Sequence, residues 1–224
     1  MTGLVPAFML PSPVQVIVAF VSEFPTLMQN AAITLYEAFA GLFLGLAAAF
    51  VLAIVMDNSA FLKRSVTPVL LLTQTVPTIA IAPLLVLWMG YGAAPKIALI
   101  FLTCFFPVTV GLLGGFQDSD PDAIRLLQSM GAGKVAIYRH IKLPGALPAF
   151  FSGLRISASY ALVGAVIAEW LGGDRGLGVY MTRVRKAYAF DKMFAVIFLI
   201  SLLSILLVQL VGLLERRAMP YKKR

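Results

Sequence analysis

The chain has 224 residues, of which 60% are hydrophobic and only 12% are charged, and its mean hydropathy is +0.93. Because a soluble domain carries about 25% charged residues, this composition excludes an ordinary soluble protein and favours a membrane protein. The net charge of +8 would suggest nucleic-acid binding in a soluble chain. Here the basic residues flank apolar runs, as in membrane proteins, so no nucleic-acid partner is predicted.

The N-terminal segment and five apolar segments give the predicted elements. Residues 1–24 contain a helix start at Ser12–Pro13, but only about ten residues follow before Glu23, whereas about 20 are needed to cross a bilayer. We therefore expect an interfacial helix on the outer membrane surface. The apolar segments predict five membrane-spanning helices in a single domain, 1–224, at 31–56, 66–89, 97–116, 150–171 and 193–214.

Small residues and prolines predict the shape of the first two spans. The first span repeats a small residue every four positions, which gives a flat face that another helix can approach closely: Gly41, Gly45, Ala49 and Ala53. The second span contains Pro68, Pro77 and Pro83, which predict a kinked or broken helix.

Two acidic residues lie within the spans. Glu37 falls one turn before the flat face, near the outer end of the first span, and is interpreted either as a carboxylate in contact with headgroups or water, or as one that faces a shared cavity. Glu169 is the only acid of the fourth span. It lies two residues from the end of that span, where a charge costs less than the ~2.5–3.5 kcal/mol of the bilayer centre. A structural and a functional role are both open for it.

The connection 118–149 contains the fragment GAGK, which suggests a nucleotide-binding loop. A P-loop requires G-x-x-x-x-G-K-[S/T], but Gln128 stands at the position of the first glycine and Val135 at that of the hydroxyl residue. The sequence therefore excludes an ATP site of this kind.

The same connection predicts a helix-turn-helix. Asp120 and Pro121 are typical of a helix start, Gly131 and Gly133 predict a break, and the following helix is expected to end at Pro144. A connection of about 30 residues is long for a simple loop. It is interpreted as an apolar element that docks a soluble partner rather than as a loop resting on the bilayer.

Gly131, followed after nine intervening residues by IKLP, resembles the G-x9-I-x-L-P signature of the inner-membrane permeases of binding-protein-dependent ABC importers. Further segments resemble the branch that serves nitrate, sulfonates, taurine and thiamine-pyrimidine precursors: LPSPVQVI, LLTQTVPTIAIAPLLVLWMGYGAAPKI, FFPV and GLRISASYALVGAVIAEWLGGDRGLGVYM. The resemblance extends from about Leu4 to Arg217. Two departures stand out: Arg125, Leu126 and Leu127 replace the E-A-A triplet of the signature, and a further span that usually precedes LPSP is not in the sequence.

The resemblance implies an all-α integral membrane protein whose helix-turn-helix is a cytoplasmic coupling element. It implies as partners a second copy of the chain, two cytoplasmic ATPase subunits, a periplasmic or lipid-anchored substrate-binding protein and membrane lipid. The chain would carry no catalytic residue and no cofactor, since ATP and Mg would bind the ATPase subunits. The coupling residues implied are Gly131, Ala132, Gly133, Lys134, Ile141, Leu143 and Pro144.

Polar residues within the apolar spans are candidates for the substrate path: Gln74, Thr75, Ser157, Ser159, Tyr160 and Glu169. Each is equally suited to bind a backbone carbonyl at a kink or a helix contact. The distribution of Lys and Arg, which includes Lys222, Lys223 and Arg224, favours a cytoplasmic C-terminus and an outer N-terminus in the bacterial inner membrane.

Within the branch, SASYALVGAVIAEWLGG most resembles permeases for a hydroxymethylpyrimidine-type thiamine precursor, with sulfonate, taurine and nitrate as alternatives. A stand-alone secondary carrier is a rival class, but it requires acids in mid-span or an inverted repeat. A membrane-embedded enzyme requires clustered His, Asp or Glu. The one histidine, His140, is predicted to be solvated in a loop, and the one cysteine, Cys104, lies in an apolar run.

Overall fold

The computed structural model describes residues 9–220, and all regular structure within that range is helical. The basic residues Lys222, Lys223 and Arg224, and the beginning of the resemblance near Leu4, lie outside the described residues. The helices are α1 (Pro13–Ser22), α2 (Phe24–Asn58), α3 (Ala60–Thr75), α4 (Thr78–Met89), α5 (Ala93–Gln117), α6 (Pro121–Ser129), α7 (Lys134–Ile137), α8 (Leu143–Gly172), α9 (Leu177–Lys186) and α10 (Phe190–Ala218), with a π turn at Tyr138–Lys142 between α7 and α8.

Two contacts at opposite ends of α2 define the ends of the bundle. Asn58 donates a hydrogen bond to Tyr138 Oη at one end, called the α6 end, and Asn30 accepts one from Gly176 N at the other, called the α9 end. Among residues 9–220, four helices are long and apolar enough to cross a membrane: α2, α5, the continuous helix Lys134–Gly172, and α10. These spans confirm the predicted fold class, an all-α integral membrane protein.

The second predicted span is broken, as its prolines indicate. Helices α3 and α4 meet at an angle of 98° around Val76 and Pro77. Because α2 ends at the α6 end, whereas Lys96 in the first turn of α5 binds Glu37 near the α9 end, the bent pair connects the two ends of the bundle. With the pair counted as one span, the described part of the chain has five.

The centre of the bundle is the contact of α5 with α2 and α8. On α2, the predicted flat face meets α5: a Cβ added at Gly41 would lie 2.5 Å from Ile100 Cβ. On the other side of α5, a Cβ added at Gly115 would lie 2.6 Å from Ala146 Cα of α8, and one at Gly153 would lie 2.6 Å from the Pro107 carbonyl oxygen. These glycines allow close approach of backbones, which is how helices associate in lipid.

The N-terminal helix begins as predicted. The Ser12 hydroxyl accepts from Gln15 N, while the Gln15 side chain accepts from Ser12 N at 2.8 Å, which is a capping box. Helix α1 packs on α10, with the Phe20 and Phe198 rings edge to face at 5.8 Å between centroids. Its interfacial location stays a prediction.

The expected helix end at Pro144 is wrong. From Lys134 to Gly172 the chain is one helix of 39 residues, in which the π turn joins α7 to α8. Pro144 follows the π turn in the first turn of α8, where a helix tolerates a residue that has no backbone N–H. The wider hydrogen-bond spacing of the π turn thus carries the helix past a proline that would otherwise end it.

Candidate functional site

A cavity of about 340 Å³ opens between the bent pair α3–α4, α5 and α8. Its polar lining comes from side chains that can exchange hydrogen bonds without carrying charge: Thr73, Gln74, Thr78, Thr103 and Tyr160. None of the described residues that line it is charged. Helix α3 and the break after it are largely exposed, so the cavity is open on the side away from α5.

Of the six candidate path residues, the structure brings Gln74 and Tyr160 to this cavity. Thr75 is exposed at the end of α3 and donates to the Leu72 carbonyl oxygen at 2.8 Å. Ser159 is half-buried and donates to the carbonyl oxygen four residues earlier. For all six residues a role in the path stays a prediction.

The other two candidates are buried between helices. Ser157 is 0% exposed and donates to the Cys104 carbonyl oxygen of α5 at 2.8 Å, while the Cys104 thiol donates to the Ser157 carbonyl oxygen. This reciprocal pair joins α5 to α8. Glu169 lies at the α9 end and binds the loop that leads into α9.

The predicted helix-turn-helix is present at the α6 end. Asp120 caps α6 by accepting from Asp122 N at 2.9 Å, as expected. Gly131 has φ +82°, a conformation that favours glycine, and turns the chain back toward α7. The other predicted coupling residues follow Gly131 along the chain: Ala132 and Gly133 complete the turn, Lys134 begins α7, Ile141 lies in the π turn, and Leu143 and Pro144 begin α8.

Helix α6 stands away from the bundle. None of its residues is buried, and large apolar side chains on and beside it are exposed, namely Leu126 (62%), Met130 (74%) and Val135 (81%). An exposed apolar group of this kind indicates a surface that another molecule covers. His140 is exposed, and its Nδ1 is 2.9 Å from the Ala136 carbonyl oxygen, as expected for a solvated residue.

At the α9 end, helix α9 is capped by side chains from two spans. Its N-terminal N–H groups would have no partner within the helix itself. Three of them donate to side chains of α2 and α8: Gly176 N to Asn30 Oδ1 (3.0 Å), Leu177 N to Thr34 Oγ1 (2.9 Å) and Gly178 N to Glu169 Oε2 (2.6 Å). The position of α9 therefore depends on where α2 and α8 lie relative to each other.

Next to this cap lies a buried ion pair. Lys96 Nζ of α5 donates to Glu37 Oε1 of α2 at 2.7 Å, and each residue is 2% exposed. The expected contact of Glu37 with headgroups or water is therefore wrong. Glu37 Oε2 is buried without a hydrogen-bond partner among the described residues, and Glu169 is 1% exposed beside the pair. The α9 end thus holds a buried ion pair and a second buried carboxylate, whose oxygens bind Thr34 Oγ1 and Gly178 N.

A second ion pair holds the junction of α1 and α2 against α10. The Glu23 carboxylate, between the two helices, accepts from the Lys192 ammonium. This hydrogen bond holds the pKa of the Glu23 carboxyl below its usual range. The junction is therefore fixed to the first turn of α10 while the Glu23 carboxylate is charged.

Three of these residues could not be recognised as functional candidates from the sequence. Lys96 has the position of an ordinary membrane-flanking cation. Asn30 precedes the first predicted span and Thr34 lies within it, and neither belongs to a recognisable pattern. Their partners lie far along the chain, 59 positions away for Lys96 and 146 and 143 for the other two.

The described residues contain no group of three or more His, Cys, Asp or Glu side chains that could hold a metal ion.

Comparisons with known proteins agree with these features. Residues 41–220 match the family described as binding-protein-dependent transport system inner membrane component. The chain is 34% identical over 97% of its length to the formylaminopyrimidine transport permease protein of Halalkalibacterium halodurans, of which it covers 87%. It is 33% identical over 88% of its length to the taurine transport system permease protein of Escherichia coli, of which it covers 71%.

The fold is also found among solved structures. An inward-facing conformation of a methionine ABC transporter superposes on this chain with a TM-score of 0.77 and 18% sequence identity. The superposition covers 88% of this chain and 98% of the other. At this identity the likeness concerns the fold alone.

Proposed function

Because this chain belongs to the family of binding-protein-dependent transport system inner membrane components, we propose that two copies of it form the membrane path of an ABC importer. The chain is a multi-pass inner-membrane protein and a non-catalytic permease subunit. In the proposed complex, two ATPase subunits bind the α6 ends in the cytoplasm and supply ATP and Mg. A substrate-binding protein docks at the α9 ends, and the C-terminus is cytoplasmic.

The observation that carries this proposal is the exposed apolar surface of the coupling segment, as we call α6, the Gly131 turn and α7 together (residues 121–137). Leu126 on α6, Met130 directly after it and Val135 on α7 are exposed, and the described residues do not cover them. A soluble subunit with an apolar groove would bury these side chains, at about 25 cal/mol per Å² of apolar surface removed from water. With no E-A-A triplet, the contact depends on these apolar residues instead of a glutamate.

The proposed transport cycle needs two states of the dimer and no chemistry in this chain. Closure of the ATPase subunits on ATP would bring the two coupling segments together and favour one state, and hydrolysis would return the other. The solute would then be bound on one side and released on the other, which is alternating access through differential affinity.

The cavity beside α3–α4 supports a path along the interface of the two copies. Its open side and the exposed apolar residues of the bent pair, among them Leu72, Ile79 and Leu87, are of the kind that a second copy covers. Gln74 and Tyr160 would then face the dimer axis and offer weak, uncharged contacts to a passing solute.

For the solute we propose an aminopyrimidine of the thiamine-precursor type. The relative from Halalkalibacterium halodurans is named for formylaminopyrimidine, and the uncharged lining of the cavity suits a neutral heteroaromatic ring. A sulfonate or nitrate ion would need a cation beside its path. The taurine permease is about equally similar to this chain, so taurine and other sulfonates are the second candidate class.

Thermal shift of the purified binding protein distinguishes these solutes. We expect formylaminopyrimidine or hydroxymethylpyrimidine at ten times its Kd or more to raise the melting temperature by several degrees, because a bound ligand stabilises the folded state. Taurine, alkanesulfonates and nitrate are expected to leave it unchanged. A shift with taurine alone would transfer the proposal to the sulfonate class.

Substitution of Gly131 by tryptophan tests the coupling segment. A Cβ at this position has no atom within 4 Å, so the added side chain would extend into open space toward the proposed ATPase. We expect Gly131→Trp to insert at normal abundance and to lose at least nine tenths of the ATPase that co-purifies with it.

The control is Gly131→Ala, which introduces only the strain of φ +82°, a cost of about 1–2 kcal/mol. We expect this variant to retain most of the co-purifying ATPase. Full ATPase recovery with Gly131→Trp would show that the turn does not face the ATPase.

A further inference from the structure

The C-terminus of α2 is bound to the π turn by a group of side chains that we call the α2 clamp: Asp57, Asn58, Tyr138 and Lys142. Lys142 Nζ donates to Asp57 Oδ2 at 2.5 Å, and Tyr138 Oη donates to the same oxygen. Asn58 Nδ2 donates to Tyr138 Oη at 2.8 Å. The Asp57 and Lys142 side chains are only 7% and 19% exposed. Partial burial makes these charge-assisted bonds stronger than those of an exposed salt bridge.

Aromatic packing fixes the clamp from the other side. The Tyr138 ring meets the Phe116 ring of α5 edge to face, with 5.5 Å between centroids, and the Lys142 ammonium lies 5.2 Å from the Tyr138 centroid. Phe116 is 1% exposed and packs with Ala49 and Ala53 of α2. The π turn, which joins α7 to α8, is therefore attached to both α2 and α5.

This attachment contrasts with α6, none of whose residues is buried. A force applied to α6 by a docked subunit passes through the Gly131 turn and α7 to the π turn. From there it can enter α8 along the continuous helix and α2 through the clamp. The clamp is thus the side-chain connection between the coupling segment and α2.

At the opposite end, the same two helices together cap α9. Asn30 and Thr34 of α2, and Glu169 of α8, accept from its N-terminal N–H groups. Asn30 and Asp57 are separated by about 40 Å of helix, at 1.5 Å per residue. If α8 moved without α2, the acceptors would separate and α9 would lose part of its cap.

We propose that the α2 clamp locks α2 to the base of α8, so that displacement of the coupling segment moves both helices together and carries α9 with them. Asp57 is the positioning residue of this device, since it accepts from both Lys142 and Tyr138. The inference rests on the proposed function, because the ATPase supplies the displacement. Contiguous contacts alone do not establish such transmission, so its test must follow the two ends separately.

Distances between spin labels in the reconstituted complex provide that test. Labels are placed on the two copies either at Arg139, exposed on the π turn, or at Arg185, exposed on α9. Distances are measured without nucleotide and after trapping with Mg-ATP and vanadate. The native Cys104 is buried, so it is not expected to be labelled. In the unsubstituted complex we expect trapping to change both distances.

Arg139 lies in the π turn, so its distance reports displacement that reaches the clamp. In Asp57→Asn we expect the change at Arg139 to persist and the change at Arg185 to fall by at least half. The reciprocal exchange of Asp57→Lys with Lys142→Asp should restore part of the Arg185 change. The matched control is Glu215→Gln, which removes the ion pair of Arg155 and Glu215 between α8 and α10, outside the clamp; both changes should stay. If Asp57→Asn does not assemble, Tyr138→Phe removes one donor to Asp57 and keeps the ion pair.

The outcomes separate the two proposals. An Arg185 change as large in Asp57→Asn as in the unsubstituted complex overturns transmission through the clamp, and so does an unsubstituted complex in which only the Arg139 distance changes. Absence of any change at Arg139 in the unsubstituted complex overturns the proposed coupling to an ATPase instead.

Discussion

Lys96→Met is expected to lower the stability of the folded chain by about 3–5 kcal/mol, the usual cost of removing one partner of a buried ion pair. The substitution leaves Glu37 without its cation in a site that is 2% exposed, with Glu169 beside it. The Glu37 carboxylate would then be buried with no cation to bind. Melting of the purified chain in detergent, together with its abundance in the membrane, measures the effect.

The companion variants are expected to lose different amounts of stability, depending on which partner of the ion pair is removed. Glu37→Gln should cost less than Lys96→Met, because the substituted amide oxygen can still accept a hydrogen bond from the Lys96 ammonium. The double variant Glu37→Gln, Lys96→Met should recover part of the loss, since no unpaired charge remains at Glu37. Equal melting temperatures for Lys96→Met and the original chain would mean that the pair is solvated in the membrane.

Gly176→Ala is expected to detach the N-terminus of α9 from its cap. Gly176 has φ +116°, and a Cβ added there would overlap the Glu169 carboxylate, which holds Gly178 N. The carboxylate is confined by its bonds and by burial, so the overlap is relieved by moving the loop. We expect at least tenfold faster amide hydrogen exchange over Leu177–Lys186 and loss of most transport.

The matched control is Gly92→Ala. Gly92 has a similar conformation, φ +130°, but a Cβ there has no atom within 4 Å. This variant carries the backbone strain alone, of order 1–3 kcal/mol, and should leave exchange in α9 unchanged. If both variants behave alike, strain rather than the Glu169 contact explains the effect.

Features that depend on local chemistry could be predicted from the sequence. Apolar length indicated where the spans lie. Four of the observed helices extend beyond both predicted bounds because helices continue past the apolar core, as α2 does at Phe24–Asn58 against 31–56, whereas the bent pair ends at Met89 as predicted. The flat face at Gly41 and Gly45, the Asp120 cap and the Gly131 turn follow from residue type and spacing, and the structure confirms them.

Features that depend on distant partners could not be predicted. A lysine near a span end is typical of membrane flanks, and only the α2–α5 contact turns Lys96 toward Glu37. A proline after a short helix is typical of a helix end, and Pro144 departs from this only because a π turn precedes it. The cap of α9 likewise combines residues more than 130 positions apart, which no local pattern contains.

Native mass spectrometry of the tagged chain, extracted gently from its host membrane, tests the central claim most directly. The account predicts a complex of two copies of this chain with two copies of a soluble ATPase, which Gly131→Trp should reduce to the permease alone. A stable monomer or dimer of the unsubstituted chain, with no ATPase under any mild extraction, would contradict the account and favour a carrier that works alone.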